Sequence, residues 1–235
     1  MKKVAFPLPE AGERRIGTVF LLVYLILFPL FFHDLFLLAE FLFGTHLSPS
    51  AENAVYYYLL FAATVLIFHR FLLNTSRFAL ARPGLVLKTV AIGLIAYYGG
   101  NELVYRLLQQ FPQGSVNLND VSIAAQIAVA PRITALIVVL LAPFVEEILF
   151  RGLVFGSLRA KSRLWAYLIS AVLFAVAHVW LFAVSDRTPG AVLLTLQYLV
   201  PGLIFAWAYD HSGTLWSAVI LHSAVNLLSL WMIRK

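Results

Sequence analysis

Seven apolar runs separated by short polar connections divide this chain, at roughly 16–43, 53–74, 85–107, 131–156, 164–184, 191–209 and 214–233. About 20 apolar residues in a helix cross the hydrocarbon core of a bilayer, so each run is long enough. In lipid every backbone polar group must be satisfied inside the protein, which leaves helices or closed barrels. No alternating barrel pattern is visible. The expected fold is therefore an all-α polytopic transmembrane helix bundle of about seven spans. Pro29 and His33-Asp34 interrupt the first run, and a break there would give eight helices. With 62% hydrophobic and only 12% charged residues, the chain is far too apolar for an ordinary soluble domain. It reads as a single membrane-embedded domain, 1–235.

The charges give an orientation. Lys2, Lys3, Arg14 and Arg15 precede the first run, Arg77 and Arg82 lie between the second and third, and Arg159, Lys161 and Arg163 between the fourth and fifth. The 44–52 and 108–130 connections carry neither Lys nor Arg. Basic loops stay cytoplasmic, so the N-terminus is expected there; Arg234 and Lys235 alone disagree. The net charge of +6 is explained by these loops, and no nucleic-acid partner is inferred. Trp165, Trp207 and Trp216 suit the cytoplasmic interface and Trp231 the opposite one. There is no cysteine, which excludes disulfides and thiolate metal sites. The first run shows no small-residue cleavage site and is expected to be retained.

The connections are ordinary. Residues 109–114 read as a loop and 186–190 as a turn. Asn117 to Ala130 is mildly amphipathic and suits the interface. Glu102 and Arg106 are one helical turn apart, as a structural ion pair would be. His33 and Asp34 are expected at an outer edge rather than in a working site. Pro131 suits the first turn of the fourth span. Pro143, inside that span, cannot donate a backbone hydrogen bond and should free the carbonyl of Val139.

One turn after Pro143 stand Glu146 and Glu147, with Arg151 four residues on. A carboxylate at bilayer depth costs a few kcal/mol unless it is paired or faces a polar cavity. Glu147 and Arg151 share a helix face. Glu146 lies about 100° round the helix and must face something else. At ~1.5 Å rise per residue, Glu146, His178 and His222 lie about 15–20 Å from the cytoplasmic ends of three different spans. Asn226 is one turn from His222, and Phe174 one turn from His178. A lone buried histidine is as often a packing hydrogen-bonder as a catalyst; this cluster at matched depth is harder to explain by packing.

Glu146-Glu147-x-x-x-Arg151, Phe174-x-x-x-His178 and His222-x-x-x-Asn226, in that order on separate spans, resemble the CPBP (Abi) intramembrane proteases, which include the CAAX prenyl endopeptidases. The resemblance runs from Pro143 to Asn226 and makes 131–233 the catalytic core; the first three spans carry no matching motif. It implies hydrolysis of a peptide bond within the membrane. Glu146 and His178 would activate water, and His222 and Asn226 would stabilise the oxyanion. Glu147, Arg151 and Phe174 would organise the site. Water would enter through a polar cavity facing the cytoplasm. The implied partners are the lipid bilayer and a membrane-tethered protein or peptide substrate, and the implied location is the inner membrane of a prokaryotic cell.

A zinc held by Glu146, His178 and His222 is the alternative to metal-free catalysis. No His-Glu-x-x-His signature occurs, and Asn226 is a better oxyanion donor than zinc ligand. The expectation is that no cofactor is required. A non-enzymatic transporter or an immunity or binding protein could use the same polar cluster. Transporters, however, usually carry inverted repeats, and none is visible.

Overall fold

The computed structural model describes residues 6–44, 46–111, 117–186 and 191–233. Lys2 and Lys3, the centre of the 109–114 loop, the Arg187–Gly190 turn, Arg234 and Lys235 lie outside them. Among the described residues nine helices follow one another: α1 (Ala11–Phe43), α2 (Pro49–Ile67), α3 (His69–Leu80), α4 (Pro83–Leu108), α5 (Leu118–Val129), α6 (Pro131–Arg159), α7 (Arg163–Asp186), α8 (Ala191–Ser212) and α9 (Leu215–Ile233). No strand occurs among the described residues. Six of the helices contain segments long and apolar enough to cross a membrane, in α1, α2, α4, α6, α7 and α9. Helix α8, 22 residues long, covers the stretch expected as a span at 191–209 but is not one of these six.

One expectation is met with an unexpected device and one is corrected. The first apolar run does not break at Pro29. Just before it, residues Val23–Leu27 widen into a π turn, with the Phe28 amide bonded to the Val23 carbonyl. The widened turn absorbs the missing proline donor, and α1 continues to Gly44, where a left-handed residue (φ 63°) ends it. The second run, expected as one span, does break, at Phe68. The cause lies in α1. Glu13, 6% exposed, accepts the backbone amides of Arg70 and Phe71, each at 3.0 Å, and so caps the new N-terminus of α3. Thr75 and Ser76 of α3 then tie it to the start of α9, through Thr214, Leu215 and Trp216.

Helix α6 is the centre of the bundle. Residues 141–153 are all buried, which a helix achieves only when neighbours surround it. Helices α1, α2, α7, α8 and α9 all pack on it. The outer helices instead expose Leu, Ile and Phe, such as Phe41, Leu66 and Ile95. Helices α7 and α8 lie against each other, and Gly202 permits a close approach: a Cβ there would meet the backbone of Ala171 at 3.0 Å.

The two ends of the bundle differ. At the end holding the N-terminus, Asp210 is buried and accepts from Arg159, Arg163 and Tyr167, while the Arg159 guanidinium covers the Phe6 ring. At the other end α5 is a twelve-residue helix capped by the Asn117 side chain. Gln126 accepts from Asn53 of α2, and Tyr198 of α8 donates to Asn117. His33 pairs with Glu52 at this end, and Glu102 with Arg106, all outside the cavity described next.

Candidate active site

Pro143 sets the local geometry. Residues Ile137–Leu141 form a second π turn, in which the Ala142 amide reaches back five residues to Ile137. In that register the next donor, for the Val138 carbonyl, would be the nitrogen of Pro143, which has no hydrogen. The freed carbonyl is therefore Val138, not Val139. Asn226 Nδ2 donates to it at 2.7 Å. This contact fixes α9 against α6 at the level of the glutamates.

Glu147 and Arg151 are completely buried. Arg151 Nε lies 3.1 Å from Glu147 Oε2, an ion pair without hydrogen-bond alignment. The guanidinium also donates from Nη2 to the Gly202 carbonyl at 3.1 Å and lies over the Phe174 ring, 4.3 Å from its centroid. Glu147 has a further partner: its Oε1 lies 2.9 Å from His222 Nδ1. A carboxylate only accepts, so Nδ1 carries the proton and donates it. Glu147 thus joins the arginine to the third motif.

His178 is held differently. Its Nδ1 is 2.8 Å from the Phe174 carbonyl, so Nδ1 again donates. Its Nε2 then points to Glu146 Oε2 at 3.6 Å. That oxygen is buried and makes no hydrogen bond. Tyr198 stacks on His178 at 4.5 Å between ring centroids, and Phe205 stacks on His222 at 4.5 Å. Both imidazoles are therefore clamped face and edge.

Glu146, His178, His222 and Asn226 line one cavity of about 750 Å³. Phe174 lines it too, while Glu147 and Arg151 stand behind the wall. The cavity runs from the middle of α6 along the second halves of α4, α7 and α9 and the first half of α8, reaching α5. It therefore extends toward the end away from the Arg159–Arg163 loop. The sequence reading placed the opening on the basic, cytoplasmic side, and that reading is corrected here. Depth along a helix is legible in a sequence, but the side on which neighbouring helices splay apart is not.

Sequence reasoning missed the contribution of α1, α2 and α4 to the cavity. Tyr24, Tyr56 and Tyr57 of α1 and α2 line the cavity with Glu146. The Tyr56-Tyr57-Tyr58 run within an apolar span was the available signal. Among the described residues no three His, Asp or Glu side chains converge closely enough to hold one metal ion. No step below is routed through a metal.

Residues 128–228 match the family model described as Type II CAAX prenyl endopeptidase Rce1-like. The chain is 36% identical over 88 residues to UPF0177 protein YxdF of Lactococcus lactis subsp. lactis strain IL1403, covering 37% of this chain and 43% of that protein. It is 32% identical over 85 residues to the protein named "Putative membrane peptidase YdiL" of Bacillus subtilis strain 168, covering 36% of this chain and 30% of that one. The chain thus matches less than half the length of either curated relative. No solved structure matches it. The matched residues carry the two glutamates, Arg151, Phe174, both cavity histidines and Asn226, and it is over this cavity-lining part that the chain is similar to the Rce1-like family model.

Proposed function

We propose that this protein is an intramembrane endopeptidase that hydrolyses a peptide bond of a membrane-tethered protein or peptide. The observation that carries the reading is the opposition of Glu146 Oε2 and His178 Nε2 across 3.6 Å in the wall of the cavity. With Nδ1 committed to the Phe174 carbonyl, neutral His178 presents a lone pair at Nε2. Ionised Glu146 presents a second. Two acceptors facing each other suit a water that donates both hydrogens and keeps its own lone pairs for attack.

In the reaction the water oxygen adds to the scissile carbonyl carbon while Glu146 takes its proton. The C–N bond then breaks, and that proton passes to the leaving amine. Charge develops on the former carbonyl oxygen. Asn226 Nδ2 has one hydrogen engaged by Val138 and a second left for this oxyanion. His222 donates its Nδ1 proton to Glu147, so it can serve the oxyanion only as an imidazolium, whose charge Glu147 stabilises. Arg151 and Phe174 hold Glu147 and the histidines in place. A preorganised donor of this kind contributes about 3 kcal/mol.

The test uses the purified chain in proteoliposomes with a degenerate library of lipid-anchored peptides, with products read by mass spectrometry. Wild-type protein should release peptide fragments, and Glu146→Gln and His178→Ala should each abolish release while remaining folded and inserted. Release by Glu146→Gln at the wild-type rate would refute the assignment.

A further inference from the structure

The charge of the cavity wall bears on what it admits. Among the described residues that line it there is no Lys or Arg. The acidic ones are Glu146 and Asp120, the latter in the first turn of α5. Arg151, close by, is behind the wall and spent on Glu147 and Gly202. The N-terminus of α5 would ordinarily attract an anion. Here Asn117 Oδ1 already accepts its first free amides, from Asn119 and Asp120, and the Asp120 carboxylate stands in its first turn. Asp120 forms no ion pair among the described residues. Beside His178, His222 and Ser229, the rest of the polar wall is mainly neutral amides and phenols, including Asn53, Asn101, Asn119, Gln126 and Gln197. Amide side chains both donate and accept, and so match the backbone of an extended peptide.

Resting on the endopeptidase reading of this same site, we propose that the cavity receives an internal stretch of polypeptide, uncharged or carrying a cation that meets Asp120, and rejects a chain's free C-terminal carboxylate. If the scissile bond lies three residues from a C-terminus, the α-carboxylate comes within about 10 Å of it. There it would face Glu146 and Asp120 with no Lys or Arg in the described wall. A C-terminal tail of that length is thus a poor substrate, and an interior segment or a Lys-bearing one a good one. The specificity-determining residue is Asp120, acting on the substrate well away from the reacting atoms.

Binding and cleavage are measured separately. Three pools of acyl-anchored, fluorescent decapeptides are randomised over uncharged residues. One ends in a carboxylate, one in a carboxamide, and one in a carboxamide with a single Lys at varied positions. Affinity for the full chain in nanodiscs is read by anisotropy, on the wild type and on Glu146→Gln. The carboxamide pool should bind about tenfold more tightly than the carboxylate pool, and the Lys pool more tightly again. Asp120→Asn should erase the Lys advantage and leave the neutral pool within about twofold. Equal or tighter binding of the carboxylate pool, no measurable binding of any pool, or a Lys advantage that survives Asp120→Asn would each overturn the proposal. Cleavage of the same pools is followed by mass spectrometry. The binding order without any cleavage by the wild type would refute the endopeptidase reading and leave the selectivity of the cavity standing.

Discussion

Replacing Glu147 by Gln is the sharpest perturbation of the buried network. It removes the carboxylate paired with Arg151, a side chain with no solvent exposure. The guanidinium keeps the Gly202 carbonyl at 3.1 Å, the faces of Phe174 and Phe205, at 4.3 and 5.4 Å from the ring centroids, and the weaker influence of Phe150 and Glu146. Those contacts exist before and after the change and cancel in the difference. Breaking a buried pair from one side costs 3–5 kcal/mol. Gln keeps one acceptor oxygen, so the low end applies: about 3 kcal/mol, or roughly two orders of magnitude in the folding constant. The cause is the stranded cation, so removing it as well should recover most of the loss. Glu147→Gln/Arg151→Met should be at least about 2 kcal/mol more stable than Glu147→Gln alone, since a methionine can fill the space between the two rings. Reversible unfolding in mixed micelles, followed by circular dichroism, measures both. Activity should not recover, because His222 Nδ1 has lost its carboxylate in either variant. A double variant no more stable than the single one would show that Arg151 is not what Glu147 compensates.

Three further outcomes follow from the same geometry. Asn226→Ala leaves the Val138 carbonyl without its donor, at a cost of about 1–3 kcal/mol, and should slow cleavage about a hundredfold; a stability loss with the rate kept within threefold would reduce Asn226 to a helix clamp. The absence of native cysteine makes single-site labelling clean. With the N-terminus cytoplasmic, an impermeant maleimide should label Asn119→Cys in intact cells and Lys161→Cys only after lysis, and the reverse pattern would invert the assigned topology. Treatment with a tight chelator followed by dialysis should leave activity intact with far less than one metal ion per chain, and activity restored specifically by one equivalent of zinc would overturn the glutamic mechanism.

The sequence alone determined the class of fold, because a long apolar run has few structures open to it in lipid. It also determined which side chains lie at one depth, since rise per residue is fixed within a helix. Glu146, His178, His222 and Asn226 could be grouped on that ground before any contact was known. Where a helix stops was less legible. The break at Phe68 depends on Glu13, 57 residues away in α1, and the run through Pro29 survives because the preceding turn widens. The same widening before Pro143 moved the freed carbonyl from Val139 to Val138 and gave Asn226 its partner. Only the tertiary structure decided that Glu147 serves both Arg151 and His222, that tyrosines from α1 and α2 face Glu146, and that the cavity extends away from the basic end. The physical reason is common to all three. Periodicity fixes where a side chain sits along and around its own helix, whereas its partners depend on how separate helices pack, and that information is spread over residues far apart in the chain.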